Sequence, residues 1–130
     1  MLKKTSYTLV FSGIPPAKKN NKRTIYRGGR KYVVPSENHE QWHNRCQSEL
    51  WEQKQQMPRE PIQYADLIVA TFYVPDLKKR DSDNCLTSIL DFLVDMDILV
   101  GDHMQIIREE RSIYAGVDAE NPRTEIVIHT

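Results

Sequence analysis

The sequence DLIVATFYV, residues 66–74, is the strongest strand signal in the chain. It is rich in β-branched and aromatic residues, which favour a strand, and Pro75 ends it. Its apolar residues fall on both alternating faces, a pattern typical of a strand that is buried from two sides. We therefore expect a central strand that is covered on both faces.

A helix is predicted to follow this strand after a short polar loop. The helix should begin at about Asn84, with Asp83 as its N-cap. Its apolar stripe has helical spacing and consists of Leu86, Ile89, Leu90, Leu93 and Val94. Gly101 then predicts a break in the chain directly before Asp102.

A hairpin and a first helix are predicted nearer the N-terminus. Two short strands, at residues 23–26 and 31–34, flank the pair Gly28-Gly29, which can take the positive φ angles of a tight hairpin turn. Ser36 is the predicted N-cap of an amphipathic helix that runs to about Gln56.

Three further strands complete the prediction, at residues 7–13, 106–114 and 124–129. The resulting order, β-ββ-α-β-α-β-β, indicates a single mixed α/β (α+β) domain over residues 1–130. A chain of 130 residues can bury about two-thirds of the surface that it exposes when unfolded, which is enough for one core.

The composition argues against a membrane or secreted protein. No apolar run approaches the roughly 18 residues of a membrane span, and no stretch of signal-peptide length follows the first residues. The two cysteines, Cys46 and Cys85, form neither a disulfide framework nor a CxxC metal motif. We expect an intracellular protein in a reducing compartment.

Charge is strongly divided along the chain. Nine of the 18 Lys and Arg residues precede position 32, whereas the first acidic residue is Glu37. The basic segment is either a solvated arm or a surface for phosphates, and the interleaved Tyr26 and Tyr32 favour nucleic acid. These tyrosines could stack on an unpaired base, although we expect them to form the core of the hairpin. The candidate DNA-binding residues in this segment are Lys18, Lys19, Asn20, Lys22, Arg23, Arg27, Arg30 and Lys31.

A set of aspartates is the candidate catalytic and metal-binding group. Asp81 and Asp83 stand two residues apart before the second helix, where they would repel each other unless a cation lay between them. Oxygen ligands of this kind suit Mg²⁺, with Mn²⁺ as the alternative, and no small-molecule cofactor is expected. By itself such a motif is also an ordinary helix cap.

The chain resembles the RusA-type Holliday junction resolvases over nearly its whole length. The matching features are residues 13–20 (GIPPAKKN), Pro35-Ser36 before the first helix, residues 80–84 (RDSDN), Asp91 and Asp102. The resemblance implies Mg²⁺-dependent homodimeric endonucleases that nick two strands symmetrically across a four-way DNA junction, in DNA recombination and repair.

The resemblance also assigns roles to individual residues. It makes Asp81, Asp83 and Asp102 the essential carboxylates. From its place in the sequence, Asn84 could position a water or hold the turn, and Asp91, about 12 Å along the helix from Asp83, would support the site without binding the ion directly. It implies a cytoplasmic protein of a bacterial or phage-infected cell, often carried by a prophage.

Two departures from the family pattern bear on activity. The lysine expected four residues after Asp83 is Thr87, and Gly101 stands where a second acid is expected before Asp102. Threonine cannot neutralise phosphate charge, so Lys78, Lys79 or Arg80 would have to do so.

Helix length predicts how the site is assembled. A helix of 12 to 16 residues is roughly 18 to 24 Å long, so one chain cannot easily bring Asp102 to Asp81 and Asp83. In a homodimer with antiparallel helices, Asp102 of one subunit would lie near Asp81 and Asp83 of the other.

Two other functions remain open. The protein could bind branched DNA with weakened or no catalysis, because of Thr87 and Gly101. It could also be a small regulator whose acidic loop is only a cap. A zinc site at His39, His43 and Cys46 is disfavoured because a fourth ligand is absent.

Overall fold

Residues 4–16 and 22–130 are described by the structure, a computed structural model. Lys18, Lys19 and Asn20 lie outside the described residues. The elements are β1 (Ser6–Ser12), β2 (Lys22–Arg27), β3 (Arg30–Pro35), α1 (Glu37–Gln53), β4 (Leu67–Val74), α2 (Ser82–Asp95), β5 (Glu110–Val117) and β6 (Arg123–His129). This order confirms the predicted mixed α/β class.

Strands β1, β6, β4 and β5 form a four-stranded sheet in that spatial order, and β2 and β3 form a separate hairpin. Among the strand pairs of the described residues, only β4 and β5 are parallel. Parallel neighbours need a long crossover connection, and here α2 lies within that crossover. The catalytic candidates Asp81, Asp83 and Asp102 all belong to this β4-α2-β5 segment.

The core lies between one face of the sheet and the two helices. It includes Leu9 and Phe11 of β1, Trp42 of α1, and Ile89 and Phe92 of α2, each no more than 2% exposed. The rings of Phe11 and Phe92 meet edge to face with centroids 5.4 Å apart. The apolar stripe predicted for α2 and the apolar side of α1, formed by Trp42, Cys46 and Leu50, therefore face the core.

Strand β4 is central, as predicted, but it is not covered on both faces. Its residues alternate between buried and half-buried along the whole strand. Ile68 and Phe72 face the core, whereas Val69 and Tyr73 point to the other, more open face. The prediction of two-sided burial was wrong because apolar residues also line the open face of this sheet.

The hairpin has the predicted turn and the first helix the predicted cap. Gly28 and Gly29 have φ angles of 57° and 76°, which glycine adopts without steric cost. The hydroxyl of Ser36 accepts a hydrogen bond from the His39 N–H at 3.1 Å. This cap fixes the start of α1 beside the hairpin.

Strand β5 starts later than predicted, at Glu110 rather than near residue 106. Ile107 instead forms an isolated bridge with Ala65. No helix in the described part of the chain is long and apolar enough to span a membrane.

Candidate metal and nucleic-acid sites

The loop between β4 and α2 is held by an aspartate and an arginine. Asp76 Oδ1 accepts hydrogen bonds from the Lys78 N–H at 2.9 Å and from Arg80 Nη2 at 2.8 Å. The backbone hydrogen bond from Lys78 and then the Arg80 guanidinium hold the pKa of Asp76 below its ordinary value. Arg80 also donates to the Asp76 and Lys78 carbonyls. Arg80 therefore stabilises the loop that places Asp81 at the start of α2.

Asp81, not Asp83, is the N-cap of α2, and the helix begins at Ser82 rather than at about Asn84. Asp81 has extended backbone angles, and its Oδ1 accepts a hydrogen bond from the Asp83 N–H at 2.9 Å. The prediction of Asp83 as the cap was wrong because Asp81 already satisfies that N–H. Asp83 therefore lies in the first helical turn.

Asp83 has an exposed carboxylate with no hydrogen bond or ion pair to any described residue. Its negative charge is favourable at this place, because the first turn of a helix carries partial positive charge. Asp81 and Asp83 thus present carboxylate oxygens to solvent at the same helix end, where both could bind a hard cation. The half-buried Asn84 follows them in the same turn.

Asp102 lies on a loop that is anchored on both sides. Before it, the Val100 N–H donates to the Ile62 carbonyl at 3.1 Å, and after it the Ala65 N–H donates to the Ile106 carbonyl at 2.7 Å. The Asp102 side chain is exposed. The anchors fix this loop near the beginning of β5.

Glu110, which the sequence analysis missed, is a neighbour of Asp102. Partial burial and then the Asp102 carboxylate raise the pKa of Glu110 above its ordinary value. A carboxyl group whose pKa is raised beside a second acid is typical of a place where a cation can bind. The signal available in the sequence was an acid within the strand predicted at residues 106–114, eight residues after Asp102.

The structure does not gather the three catalytic candidates within one chain. The described residues contain no group of three or more His, Cys, Asp or Glu side chains that could hold a metal ion. With 14 residues, α2 is roughly 21 Å long, and Asp102 lies beyond its far end. The Asp81 and Asp83 pair and the Asp102 and Glu110 pair are therefore two separate acidic half-sites.

Asp91 lies at a different place from both pairs. It is exposed on α2 and interacts electrostatically with His39 of α1. It lines a cavity between the helices and the hairpin, together with His43. Its position does not place it beside the Asp83 carboxylate, because eight helical residues separate the two by roughly 12 Å.

Thr87, at the position where the family pattern has lysine, bonds to its own helix. Its Oγ1 donates to the Asp83 carbonyl at 2.8 Å. Lys78 and Lys79 are exposed, and neither side chain forms an ion pair with a described residue. Since Arg80 braces the loop, these two lysines are the cations that remain available near Asp81.

The hairpin presents basic groups to solvent. Arg27, Arg30 and Lys31 are exposed at its tip and make no ion pair with described residues. Arg23, in contrast, donates to Glu37 Oε1 at 2.9 Å, so it also ties the hairpin to α1. Lys22 is exposed at the start of β2.

The hairpin tyrosines do not form a core. Tyr26 is 71% exposed and Tyr32 is 44% exposed. The prediction that they pack inside the hairpin was wrong because a two-stranded ribbon has no layer of its own to bury them. Both rings are therefore available for contact with a ligand.

The cysteines do not supply a nucleophile. Both are free and buried. Burial, with a smaller effect of Glu49, raises the pKa of Cys46 to about 12, and burial also raises the pKa of Cys85. Since the thiolate is the reactive form, neither cysteine is suited to act as a nucleophile.

Two comparisons with known proteins bear on this arrangement. A search of curated proteins found no match. The family model described as endodeoxyribonuclease RusA matches residues 13–129. This match includes the hairpin, the Asp81 loop, α2 and the Asp102 loop, and it covers most of the chain. The chain therefore belongs to the RusA endodeoxyribonuclease family.

Proposed function

We propose that the protein is a Mg²⁺-dependent endonuclease that acts as a homodimer and resolves four-way DNA junctions by symmetric nicking. The observation that carries this proposal is the pair of acidic half-sites at opposite ends of α2. Each half-site has exposed carboxylate oxygens, at Asp83 in one and at Asp102 in the other, with no hydrogen bond to described residues.

A two-fold dimer would complete each site. If α2 of two subunits packed antiparallel, Asp81 and Asp83 of one chain would approach Asp102 of the other, and two equal sites would result. Two equal sites related by a two-fold axis suit the cutting of two strands at symmetric positions. Family membership supports nuclease activity, while the dimer and the metal are our proposal.

The donor set fits the proposed ion. Carboxylate oxygens without nitrogen or sulfur ligands suit Mg²⁺, which supplies charge neutralisation at the scissile phosphate and lowers the pKa of a bound water. Asp81 would use the oxygen that does not cap the helix. Asp83 would contribute a carboxylate held by the first turn of α2, and Glu110 would hold a proton or a water beside Asp102.

The basic groups would position the DNA. Arg27, Arg30 and Lys31 at the hairpin tip would contact phosphates, and such contacts give affinity that depends on salt and little on sequence. Lys78 and Lys79 would offset phosphate charge next to Asp81. In a dimer, the two hairpins would contact the arms of one junction.

A second candidate is a junction-binding protein with little catalysis. Thr87 favours it, because its hydroxyl is engaged with the Asp83 carbonyl and offers no positive charge. Both candidates predict salt-dependent binding to branched DNA. Only the first predicts nicks when Mg²⁺ is added.

The deciding experiment compares a synthetic four-way junction, a flap and a duplex of equal length, each with Mg²⁺, with Mn²⁺ or with Ca²⁺. We expect paired nicks in the junction with Mg²⁺ and none with Ca²⁺. Asp83→Asn should abolish cleavage and retain binding, and Glu52→Gln, an exposed substitution on α1, should change neither. Binding without cleavage in Mg²⁺ and in Mn²⁺ would establish the second candidate.

A further inference from the structure

The four-stranded sheet has two edge strands, β1 and β5, and side chains of α1 close the edge at β1. Gln53 Oε1 accepts a hydrogen bond from the Val10 N–H at 2.8 Å, and Gln53 Nε2 donates to the Val10 carbonyl at 2.7 Å. Glu49 Oε1 accepts from the Ser12 N–H at 3.0 Å. Because these backbone groups are already bonded, a further strand cannot pair with β1 there.

Strand β5 forms the open edge of the sheet. Among the described residues it pairs only with β4, and six of its eight residues are exposed. The Ile68 N–H donates to the Glu109 carbonyl at 3.0 Å, so the next residue turns its backbone groups away from β4. Since this direction alternates along a strand, three residues have outward N–H and C=O groups: Glu110, Ser112 and Tyr114. Such a row of groups is a template for another strand.

The composition of β5 does not protect this edge. Natural edge strands are commonly protected by lysine, by proline or by other charged side chains. Residues 112–117 contain neither a charged residue nor a proline, and Arg111 Nε is engaged by Glu109 Oε2 at 2.6 Å. Ile113 is 45% exposed and Tyr114 is 64% exposed. The edge therefore offers apolar side chains as well as backbone groups to a partner.

The regular part of this edge is complementary to itself. A bulge leaves Ala115 outside the pairing register with β4, so the regular edge consists of residues 110–114. A strand that pairs antiparallel with its own copy forms a two-fold contact. Centred on this stretch, the pairing sets Ser112 opposite its own copy and Glu110 opposite Tyr114 of the partner subunit. The two Glu110 carboxylates then do not face each other, which would be unfavourable.

A second copy of the chain fits this edge because the two ends of β5 lie beside different acidic half-sites. The Asp118 N–H donates to the Val74 carbonyl at 2.8 Å, so β4 and β5 end side by side, and the loop to Asp81 starts from there. Asp102 neighbours Glu110 at the other end of β5. An antiparallel partner reverses these ends, and it therefore brings Asp102 of one subunit towards Asp81 of the other.

The charges beside the edge permit this orientation. Residues 76–83, which follow β4, include three acids and three bases and are neutral as a group. Residues 102–111, at the start of β5, include three acids and two bases and are acidic as a group. An antiparallel pair joins an acidic end to a neutral end, whereas a parallel pair would set two acidic ends side by side.

We propose that β5 pairs antiparallel with β5 of a second copy of this chain, through the edge formed by residues 110–114, so that the two sheets become continuous. This inference rests on the proposed function, because it names the surface through which the proposed homodimer forms. Since α2 lies against β5 in each chain, the two α2 helices also run antiparallel.

Cysteine crosslinking tests the pairing directly. In the proposed register the two copies of residue 113 are diagonal neighbours, roughly 7 to 8 Å apart. Ile113→Cys should therefore give a covalent dimer with a short bismaleimide. Thr8→Cys is the matched control, because it is exposed on the same face of the sheet but on β1, at the closed edge, and it should give none. The native Cys46 and Cys85 are buried and have raised pKa values, so they should react little.

A proline variant tests the backbone pairing. The Tyr114 N–H points outward, so Tyr114→Pro removes no hydrogen bond to β4 but takes a donor from the proposed interface. It should raise the dissociation constant of the dimer about tenfold or more, because each dimer loses two backbone hydrogen bonds. Tyr114→Thr is the control, since it removes the same ring and keeps the N–H and a high strand propensity. Sedimentation measures both constants, and circular dichroism checks that both variants fold.

The outcomes separate this inference from the proposed function. A dimer in solution that gives no Ile113→Cys crosslink would overturn the pairing of β5 and leave a homodimer with another interface. Equal dissociation constants in the folded Tyr114→Pro and Tyr114→Thr variants would do the same, and if the proline variant does not fold, the crosslink decides alone. A protein that stays monomeric at every concentration, with and without junction DNA, would overturn both the interface and the proposed homodimer.

Discussion

Thr87 Oγ1 donates a hydrogen bond to the Asp83 carbonyl at 2.8 Å. The Thr87 hydroxyl is therefore engaged in a hydrogen bond within α2, the helix that presents Asp83, and the side chain carries no charge. In the proposed site, a positive charge one turn into α2 would lie near the scissile phosphate.

Thr87→Lys should raise the rate of junction cleavage by about tenfold or more, because a cation that stabilises transition-state charge is worth at least that much. Single-turnover cleavage in Mg²⁺ measures the effect. Thr87→Ala is the matched control, since it removes the hydrogen bond and adds no charge, and it should not accelerate cleavage. A lysine variant no faster than the alanine variant would show that charge at this position is not limiting.

Asp81 has two roles that substitution can separate. Asp81→Ala should destabilise the protein by about 1 kcal/mol, because it removes the side chain that caps α2, and it should also abolish cleavage. Asp81→Asn should keep the cap, since asparagine is an equally good N-cap, and still abolish cleavage. Urea unfolding and a cleavage assay on both variants measure the two effects. Full activity in the asparagine variant would remove Asp81 from the proposed ion site.

Glu110 should make stability depend on pH. Its pKa is raised in the folded protein by burial and by Asp102, so the folded state holds this proton more tightly than the unfolded state. The free energy of unfolding should then be highest below the ordinary carboxyl pKa and decline as pH rises through the raised pKa. Urea unfolding over a pH series should show that Glu110→Gln reduces this decline and is more stable than the wild type at neutral pH. Parallel pH profiles would contradict the role of Glu110.

The hairpin tip should account for part of the salt dependence of DNA binding. Replacing Arg27, Arg30 and Lys31 together by alanine removes up to three phosphate contacts. The slope of log K against log salt should become shallower by about three, at roughly 0.9 per phosphate contact. Arg59→Ala, an exposed cation outside the hairpin, is the control and should leave the slope unchanged. An unaltered slope in the triple variant would show that the hairpin tip does not contact the DNA phosphates.

Local chemistry is what made much of the fold predictable. The φ angles of Gly28 and Gly29 and the hydroxyl cap of Ser36 depend on a few neighbouring residues, so the turn and the helix start followed from the sequence. The candidates Asp81 and Asp83 were found in the same way, because both belong to one helix end.

Features that depend on distant parts of the chain were not predictable. Strand β5 starts at Glu110 because Ile107 pairs with the distant Ala65 in an isolated bridge instead of extending the strand. The proximity of Asp102 to Glu110 depends on the path of the segment that connects α2 to β5. The exposure of Tyr26 depends on the hairpin standing apart from the main sheet. None of these relationships leaves a periodic pattern in the sequence.

A complementation experiment tests whether the two half-sites join across a dimer. Asp83→Asn and Asp102→Asn should each be inactive alone, because every site in either homodimer lacks one carboxylate. In a mixed dimer with shared sites, one site is doubly defective and the other is intact, since it combines Asp83 of one subunit with Asp102 of its partner. Mixing the inactive proteins should therefore restore Mg²⁺-dependent cleavage, and because each mixed dimer has one working site, the product should be a single nick rather than a resolved junction. Sites built within one chain would leave every mixture inactive. Native mass spectrometry of the mixture would confirm that subunits had exchanged, so that an inactive mixture containing mixed dimers would count against shared sites.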